Sequence, residues 1–274
     1  MKKALTIAGS DSGGGAGIQA DLKTFQELEV FGMSALTAVT AQNTLGVQAV
    51  YPMTAEAVMT QIDSIGEDIG ADAVKTGMLF NAEIIEAVAK KMYHYHWTNV
   101  VVDPVMIAKG GASLLQNEAI SALIQFLLPL STVITPNIPE AEVLTNLSIQ
   151  TAEDKKEAAK KLLALGVKNV VIKGGHDEDP NQAVDLFYDG LEFVFIKSKR
   201  INTKNTHGTG CTFSAAVAAE LAKGHLVYDA VAKAKSFIQA AIEDQLDIGH
   251  GHGPTNHWAF RKKGAGTEHG EIQQ

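Results

Sequence analysis

The chain has 274 residues, 46% of them hydrophobic, and a formal net charge of -8. That content supplies one large core, and without any Lys/Arg-rich run the chain offers no general nucleic-acid surface, because phosphate-backbone binding draws on clustered positive charge. A lone cysteine excludes an intrachain disulfide, no apolar run approaches membrane-spanning length, and the opening Ala4–Gly9 lacks the long apolar region of a signal peptide, so a soluble cytoplasmic protein is expected.

In chain order, short β-rich runs alternate with longer amphipathic segments. The pairs are Ala4–Ala8 with Gly17–Phe31, Asp72–Lys75 with Ala82–Tyr95, Asn99–Asp103 with Asn117–Leu127, and Thr132–Thr135 with Pro139–Leu144; a further strand begins at Met33. Near-continuous apolar strands such as Val100-Val101-Val102 suit a parallel sheet covered on both faces by helices. A helix capped at Thr151 ends at Gly166 and precedes the strand Asn169–Lys173. Around Asp189-Gly190, Ala183–Tyr188 and Phe193–Ile196 read as a hairpin that adds an antiparallel edge. Helices near Cys211–Lys223 and Leu226–Leu246 close the fold, and the polar end after Phe260 is expected to fray. The expected organisation is one domain over 1–262 with a flexible tail over 263–274.

Gly208-Thr209-Gly210-Cys211 leads into an alanine-rich helix. Glycines there let successive N–H groups converge, and the helix start adds its positive dipole end, which makes an anion cradle; the same field lowers the pKa of Cys211 and favours thiolate. Taken alone, the residues favour a tight loop that only satisfies its own backbone. The earlier run Gly9–Gly17 also follows a strand and opens a helix, but position 18 is isoleucine where a dinucleotide fingerprint needs glycine, and no Gly-Lys-Ser/Thr exists for a P-loop.

Further polar residues stand where strands end. Gln42 offers a donor beside an acceptor, yet an isolated loop glutamine by default faces water. Asp21 reads as an ordinary first-turn carboxylate, Lys75 as a solvated ammonium, Met78 and Val105 as core, and His176 and His207 as loop residues. Asp103 and Glu140 are hard oxygen donors suited to Mg²⁺, while Asn137 and Glu140 equally suit a helix cap. Lys173 can reach a transferred phosphate as a point charge. His250, His252 and His257 lack a recognised metal spacing.

The phrase His207-Gly208-Thr209-Gly210-Cys211-Thr212-Phe213-Ser214, with Asn137-x-x-Glu140, resembles the ribokinase superfamily, and within it the hydroxymethylpyrimidine/phosphomethylpyrimidine kinases of thiamine biosynthesis; the likeness runs from about Lys3 to Phe260. It implies an α/β ribokinase-like fold with a mainly parallel central sheet, helices on both faces and a small antiparallel edge. It also implies ATP and Mg²⁺ as cofactors, a homodimer, and phosphorylation of 4-amino-5-hydroxymethyl-2-methylpyrimidine and then of its monophosphate. Carried onto this chain, the substrate contacts are Gly9, Asp21, Gln42, Met78 and Val105. The nucleotide contacts are Lys173, Asn137, Glu140, Thr206, Gly208 and Gly210, with Asp103 and Glu140 at the metal. Cys211 becomes the base beside the amides of Gly208, Thr209 and Gly210, with Lys173 neutralising the phosphoryl group. Two alternatives remain: pyridoxal kinase, whose relatives share the cysteine turn, and a non-catalytic vitamin sensor on the same fold.

Overall fold

The computed structural model describes residues 1–106, 117–176 and 180–268. Its centre is a nine-stranded sheet in the order β3-β2-β1-β4-β5-β6-β7-β8-β9. The parallel part comprises β1 (Lys3–Asp11), β2 (Phe31–Asn43), β4 (Ala73–Thr76), β5 (Val100–Val102), β6 (Val133–Ile134) and β7 (Asn169–Ile172). Antiparallel strands close both ends: β3 (Gly46–Pro52) pairs with β2, and the hairpin β8 (Gln182–Tyr188) and β9 (Phe193–Lys199) extends β7. The parallel core and the hairpin agree with the sequence reading.

Alternation along each strand sends its residues to two hydrophobic layers. Val100 and Val102 join Leu5, Ile7 and Ile134 under α2 (Ala55–Gly66), α3 (Ala82–His94), α4 (Asn117–Ala122), α5 (Ile138–Thr145) and α6 (Ala152–Ala164). Val101 and Val133 face the opposite layer, where α1 (Gly17–Glu27), α7 (Thr209–Ala222) and α8 (Val227–Glu243) contribute Phe25, Phe213 and Phe237. The alanines of α7 let it lie close to the sheet, and nearly every residue of that helix from Thr212 onward is buried. A last helix, α9 (Ala259–Glu268), continues through much of the segment expected to be a flexible tail; residues 269–274 lie outside the described part.

Two elements depart from the expected spans, and two further elements had no expected span. α1 stops at Glu27 because Val30 N–H turns back to the Phe25 carbonyl, and Phe31 then opens β2. The run expected as one helix over Asn117–Leu127 changes character at Leu123, where a π turn over Leu123–Leu127 and a 3₁₀ turn over Leu128–Leu130 follow α4; Pro129 has no N–H to continue an α-helix. β3 and α2, which the sequence reading passed over, complete the molecule at the β2 edge.

The buried His257 sits beneath α7, 6% exposed, with its Nε2 3.0 Å from Thr212 Oγ1. Burial, helped by the charge of Lys23, lowers its pKa to about 4. An unfolded histidine takes up a proton near pH 6.5, whereas this one does so only near pH 4, so its contribution to stability is lost as pH falls between those values. The span is worth up to about 3 kcal/mol at roughly 1.4 kcal/mol per unit. His257→Gln retains an acceptor for Thr212 and should lose about 2 kcal/mol less than the wild type between pH 7 and pH 5 in urea unfolding. Equal acid losses would assign the acid sensitivity to other groups.

Candidate active site

Sheet order reverses between β1 and β4, and at such a switch point the carboxyl ends of the strands border an open crevice. Gly9 and Asp11 end β1, Gln42 lies near the end of β2, Met78 follows β4, Asp103 and Val105 follow β5, Asn137 follows β6 and Lys173 follows β7. The candidate residues therefore share one edge of the sheet, with the head of α7 above it.

The end at the head of α7 is the more closely built. Gly208 has φ +81° and forms the N-cap of α7; a Cβ there would stand 1.7 Å from the Gly15 carbonyl oxygen, so the close approach of the two glycine loops requires glycine. Thr209 and Gly210 belong to the first turn of the helix, and the Thr209 hydroxyl donates to the Thr206 carbonyl at 2.7 Å. A Cβ on Gly210 would stand 3.2 Å from Lys173 Nζ and 3.6 Å from Asp103 Oδ2, so the helix head, the lysine and the carboxylate converge. Lys173 Nζ donates to Asp103 Oδ1 at 2.8 Å, and Ser214 Oγ donates to Asp103 Oδ2 at 3.2 Å. Burial would raise the Asp103 pKa, but Lys173 and Lys75 outweigh it and hold the carboxyl low.

Asn137 and Glu140 form a capping box at the start of α5. The Glu140 N–H donates to Asn137 Oδ1 at 2.9 Å, and the Asn137 N–H donates to Glu140 Oε2 at 2.8 Å. The structural role of this pair is thus realised. Glu140 is also 4% exposed and its pKa is pushed up to about 7, first by burial and then, against the pull of Lys173, by the nearby charge of Asp103. Excess negative charge in a buried oxygen site fits a divalent cation. Among the described residues no group of three His, Cys, Asp or Glu is gathered as a metal site, so an ion here would draw on Asp103 and Glu140 with water and phosphate oxygens.

Two expectations change at the base of the crevice. Lys75 is not a solvated ammonium: it is fully buried, pairs in register with Thr6 of β1, and donates to both oxygens of Asp21 at 3.0 and 2.8 Å. Asp21, also fully buried, accepts a further bond from Thr6 Oγ1 at 2.6 Å, so its carboxylate is occupied inside the protein and does not present itself as a substrate ligand. Burial pushes the Asp21 carboxyl up against the pull of Lys75, while Asp21 outweighs the effect of burial on Lys75 and keeps the ammonium charged. Lys75→Met would strand a buried carboxylate and should cost on the order of 3 kcal/mol, whereas Lys75→Met combined with Asp21→Leu should recover much of it. Equal stabilities of the single and double variants in denaturant titrations would contradict this.

Cys211 also differs from its expected state. Although the residue keeps some exposure, burial of the thiol pushes its pKa up to about 11; Lys75 opposes the shift, and Asp21 and Asp103 add to it. The helix head is present, but burial of the thiol, with Asp21 and Asp103 adding to it, outweighs the influences that favour thiolate.

At the other end of the crevice, Met78 packs over Gly9, where a Cβ would meet its Cε at 2.6 Å. Val105 is half-buried, with its N–H on the Asp103 carbonyl. The Gln42 backbone is pinned by Ser12, which both donates to its carbonyl and accepts from its N–H, each at 2.8 Å. Its side-chain Oε1 lies 3.2 Å from Thr40 Oγ1, and its Nε2 lies 3.2 Å from His207 Nε2. His207 Nε2 is in turn 2.8 Å from Asp11 Oδ2. Asp11 accepts the N–H groups of Gly13, Gly15 and Ala16, and so shapes the whole glycine loop. Asp11, Lys75 and His207 are the contributors that sequence reasoning left without a role; only Asp11 had a local signal, a short acceptor directly before a glycine run.

The family model for phosphomethylpyrimidine kinase matches residues 11–256. The hydroxymethylpyrimidine/phosphomethylpyrimidine kinase of Bacillus subtilis is 58% identical over 97% of this chain and 98% of its own length, and that of Haemophilus influenzae is 56% identical over 96% and 98%. Among solved structures, an ADP complex of Bacillus subtilis pyridoxal kinase superposes with a TM-score of 0.88 at 48% identity, covering 96% of this chain and 99% of that one. The crevice between the head of α7 and Gln42 is thus housed in a ribokinase-like sheet, and the chain belongs to the phosphomethylpyrimidine kinase family.

Proposed function

We propose that this chain is an ATP-dependent kinase of thiamine biosynthesis that phosphorylates 4-amino-5-hydroxymethyl-2-methylpyrimidine and then converts the monophosphate to the diphosphate. The observation that carries the reading is the meeting of Gly210, Lys173 and Asp103 at the head of α7. Phosphoryl transfer needs mainly positioning and electrostatic stabilisation. The N–H groups of Gly208 and Gly210 turn their positive ends toward charge on the transferred group, joined by that of Thr209 once it gives up its long 3.4 Å bond to the Thr206 carbonyl, and Lys173 is released from Asp103 to neutralise it. Asp103 and Glu140 would hold Mg²⁺ directly or through water, and the ion would supply positive charge to offset that of the ATP phosphates. Asn137 and Thr206 frame the nucleotide side of the crevice. Gly9, Gln42, Met78 and Val105 form the pyrimidine side, and Asp21 acts from behind by holding Lys75 in place.

Gln42→Leu should raise the pyrimidine KM about tenfold and leave ATP affinity unchanged, because the polar ring edge would lose its partners. Calorimetry on the folded variant measures this, and an unchanged pyrimidine affinity would remove Gln42 from the ring-reading role. The second reading, pyridoxal kinase, is favoured by the similarity to pyridoxal kinase structures. ADP release measured with hydroxymethylpyrimidine, its monophosphate and pyridoxal separates the two; turnover confined to pyridoxal would overturn the first, and no turnover on any would favour the sensor. Exposed Val47 and Tyr51 on edge strand β3, beside Leu45, support a homodimer, and the composition suits a cytoplasmic setting. Among the described residues no helix is long and apolar enough to cross a membrane.

A further inference from the structure

The contacts around Gln42 contain a proton conflict whose resolution determines what the side chain reads. Asp11 accepts three backbone N–H groups, and although burial works to raise its pKa, the bonds from His207 and the loop outweigh it and keep the carboxyl ionised. A carboxylate only accepts, so the 2.8 Å contact requires a proton on His207 Nε2. That N–H cannot also accept from the Gln42 amide nitrogen 3.2 Å away. A matching conflict lies at the other end of the amide. Thr40 has one hydroxyl proton, and the Ser10 carbonyl takes it at 2.7 Å, which leaves a lone pair facing Gln42 Oε1 at 3.2 Å. Exchanging the amide oxygen and nitrogen removes both conflicts, because the NH₂ then donates to Thr40 and the oxygen shares the His207 Nε2–H as the longer, 3.2 Å arm of a three-centre bond whose shorter arm goes to Asp11 at 2.8 Å. Carboxamide ends are distinguished by such networks and by nothing else in their shape.

We propose that His207 is a specificity-setting positioning residue, whose Nε2–H, held by Asp11, fixes the Gln42 carboxamide with its oxygen toward His207 and its NH₂ toward Thr40. The inference rests on the reading that Gln42 faces the pyrimidine ring. With one lone pair and one N–H thus engaged, the amide offers the substrate one acceptor beside one donor, in a single order. An exocyclic amine next to an unprotonated ring nitrogen matches that order. A ring carbonyl next to a ring N–H meets like with like at both positions. A freely turning amide would accept either pattern, so the pinned network is what discriminates. His207 is itself well fixed: its backbone N–H donates to the Gly253 carbonyl at 3.0 Å, and its ring packs so closely on Gly15 that a Cβ there would stand 2.6 Å from Cδ2.

The test compares kcat/KM for hydroxymethylpyrimidine and for its analogue with oxo in place of the 4-amino group. His207→Phe should lower the amino-to-oxo ratio about tenfold or more, mainly through KM, while His207→Gln, which returns an N–H at similar reach, should stay within about threefold of the wild type. In a Gln42→Leu background, His207→Phe should add little, because the residue it positions is gone. Nitrogen-15 spectra of wild-type His207 supply a measurement that needs no variant to fold, and Nε2 should carry a proton. A raised pyrimidine KM in Gln42→Leu with an unchanged ratio in His207→Phe overturns this proposal alone, as does an unprotonated Nε2. An unchanged KM in Gln42→Leu overturns the ring-reader reading and this proposal with it.

Discussion

Gly208→Ala should reduce turnover about 10³-fold or more while leaving most of the fold intact. Loss of one preorganised donor to a developing anion typically costs 10²–10³, and here the whole helix head must move. The added methyl would sit 1.7 Å from the Gly15 carbonyl oxygen, at a φ of +81° that side chains rarely adopt. Neither neighbour is the flexible end of a side chain, so relief requires the cradle to separate from the first glycine loop. Gly224→Ala is the matched control: its φ is +92°, but nothing lies within 4 Å of the added methyl. That variant should show only the backbone cost, on the order of 1 kcal/mol, with near-normal kcat. Comparable kcat losses in both variants would mean that backbone strain alone, rather than the loop contact, governs the site.

The same glycine shows what local sequence makes legible. Gly208 and Gly210 before an alanine-rich run announce a helix head, and the capping signals at Asn137 and Thr151 are equally local; the structure contains both capping boxes. The parallel strands were readable because burial on both faces removes polar residues from them. β3 lacked that signal: it lies at the sheet edge, and none of its residues is fully buried. α2 buries only Val58 and Ile62, too narrow a stripe to declare a helix by period. Long-range pairing was the least legible. Lys75 meets Asp21 across 54 residues and His207 meets Asp11 across 196, so the partner that changes each residue's chemistry is absent from its neighbourhood in the chain.

Cys211 carries that lesson into the chemistry, and its role is separable because the two phosphorylation steps use different nucleophiles. The first is an alcohol that keeps its proton near neutral pH; the second is a phosphate monoester oxygen, largely ionised because the second phosphate pKa is near 6. Only the first gains from a base, typically 10²–10⁴-fold. Cys211→Ala should therefore slow monophosphate formation by about 10²-fold or more and its conversion to diphosphate by much less, as measured in single-turnover assays started from each substrate. The thiol value near 11 adds a second expected result. A base that must first lose a proton at that pKa is mostly in its inactive form at neutral pH, so the first step should quicken nearly tenfold per pH unit between 7 and 9. The second step should stay almost flat over that range, and Cys211→Ala should flatten the first. Equal losses in both steps, or a first step indifferent to pH in the wild type, would leave Cys211 as a packing residue at the helix head and pass the alcohol proton to the transferred phosphate itself.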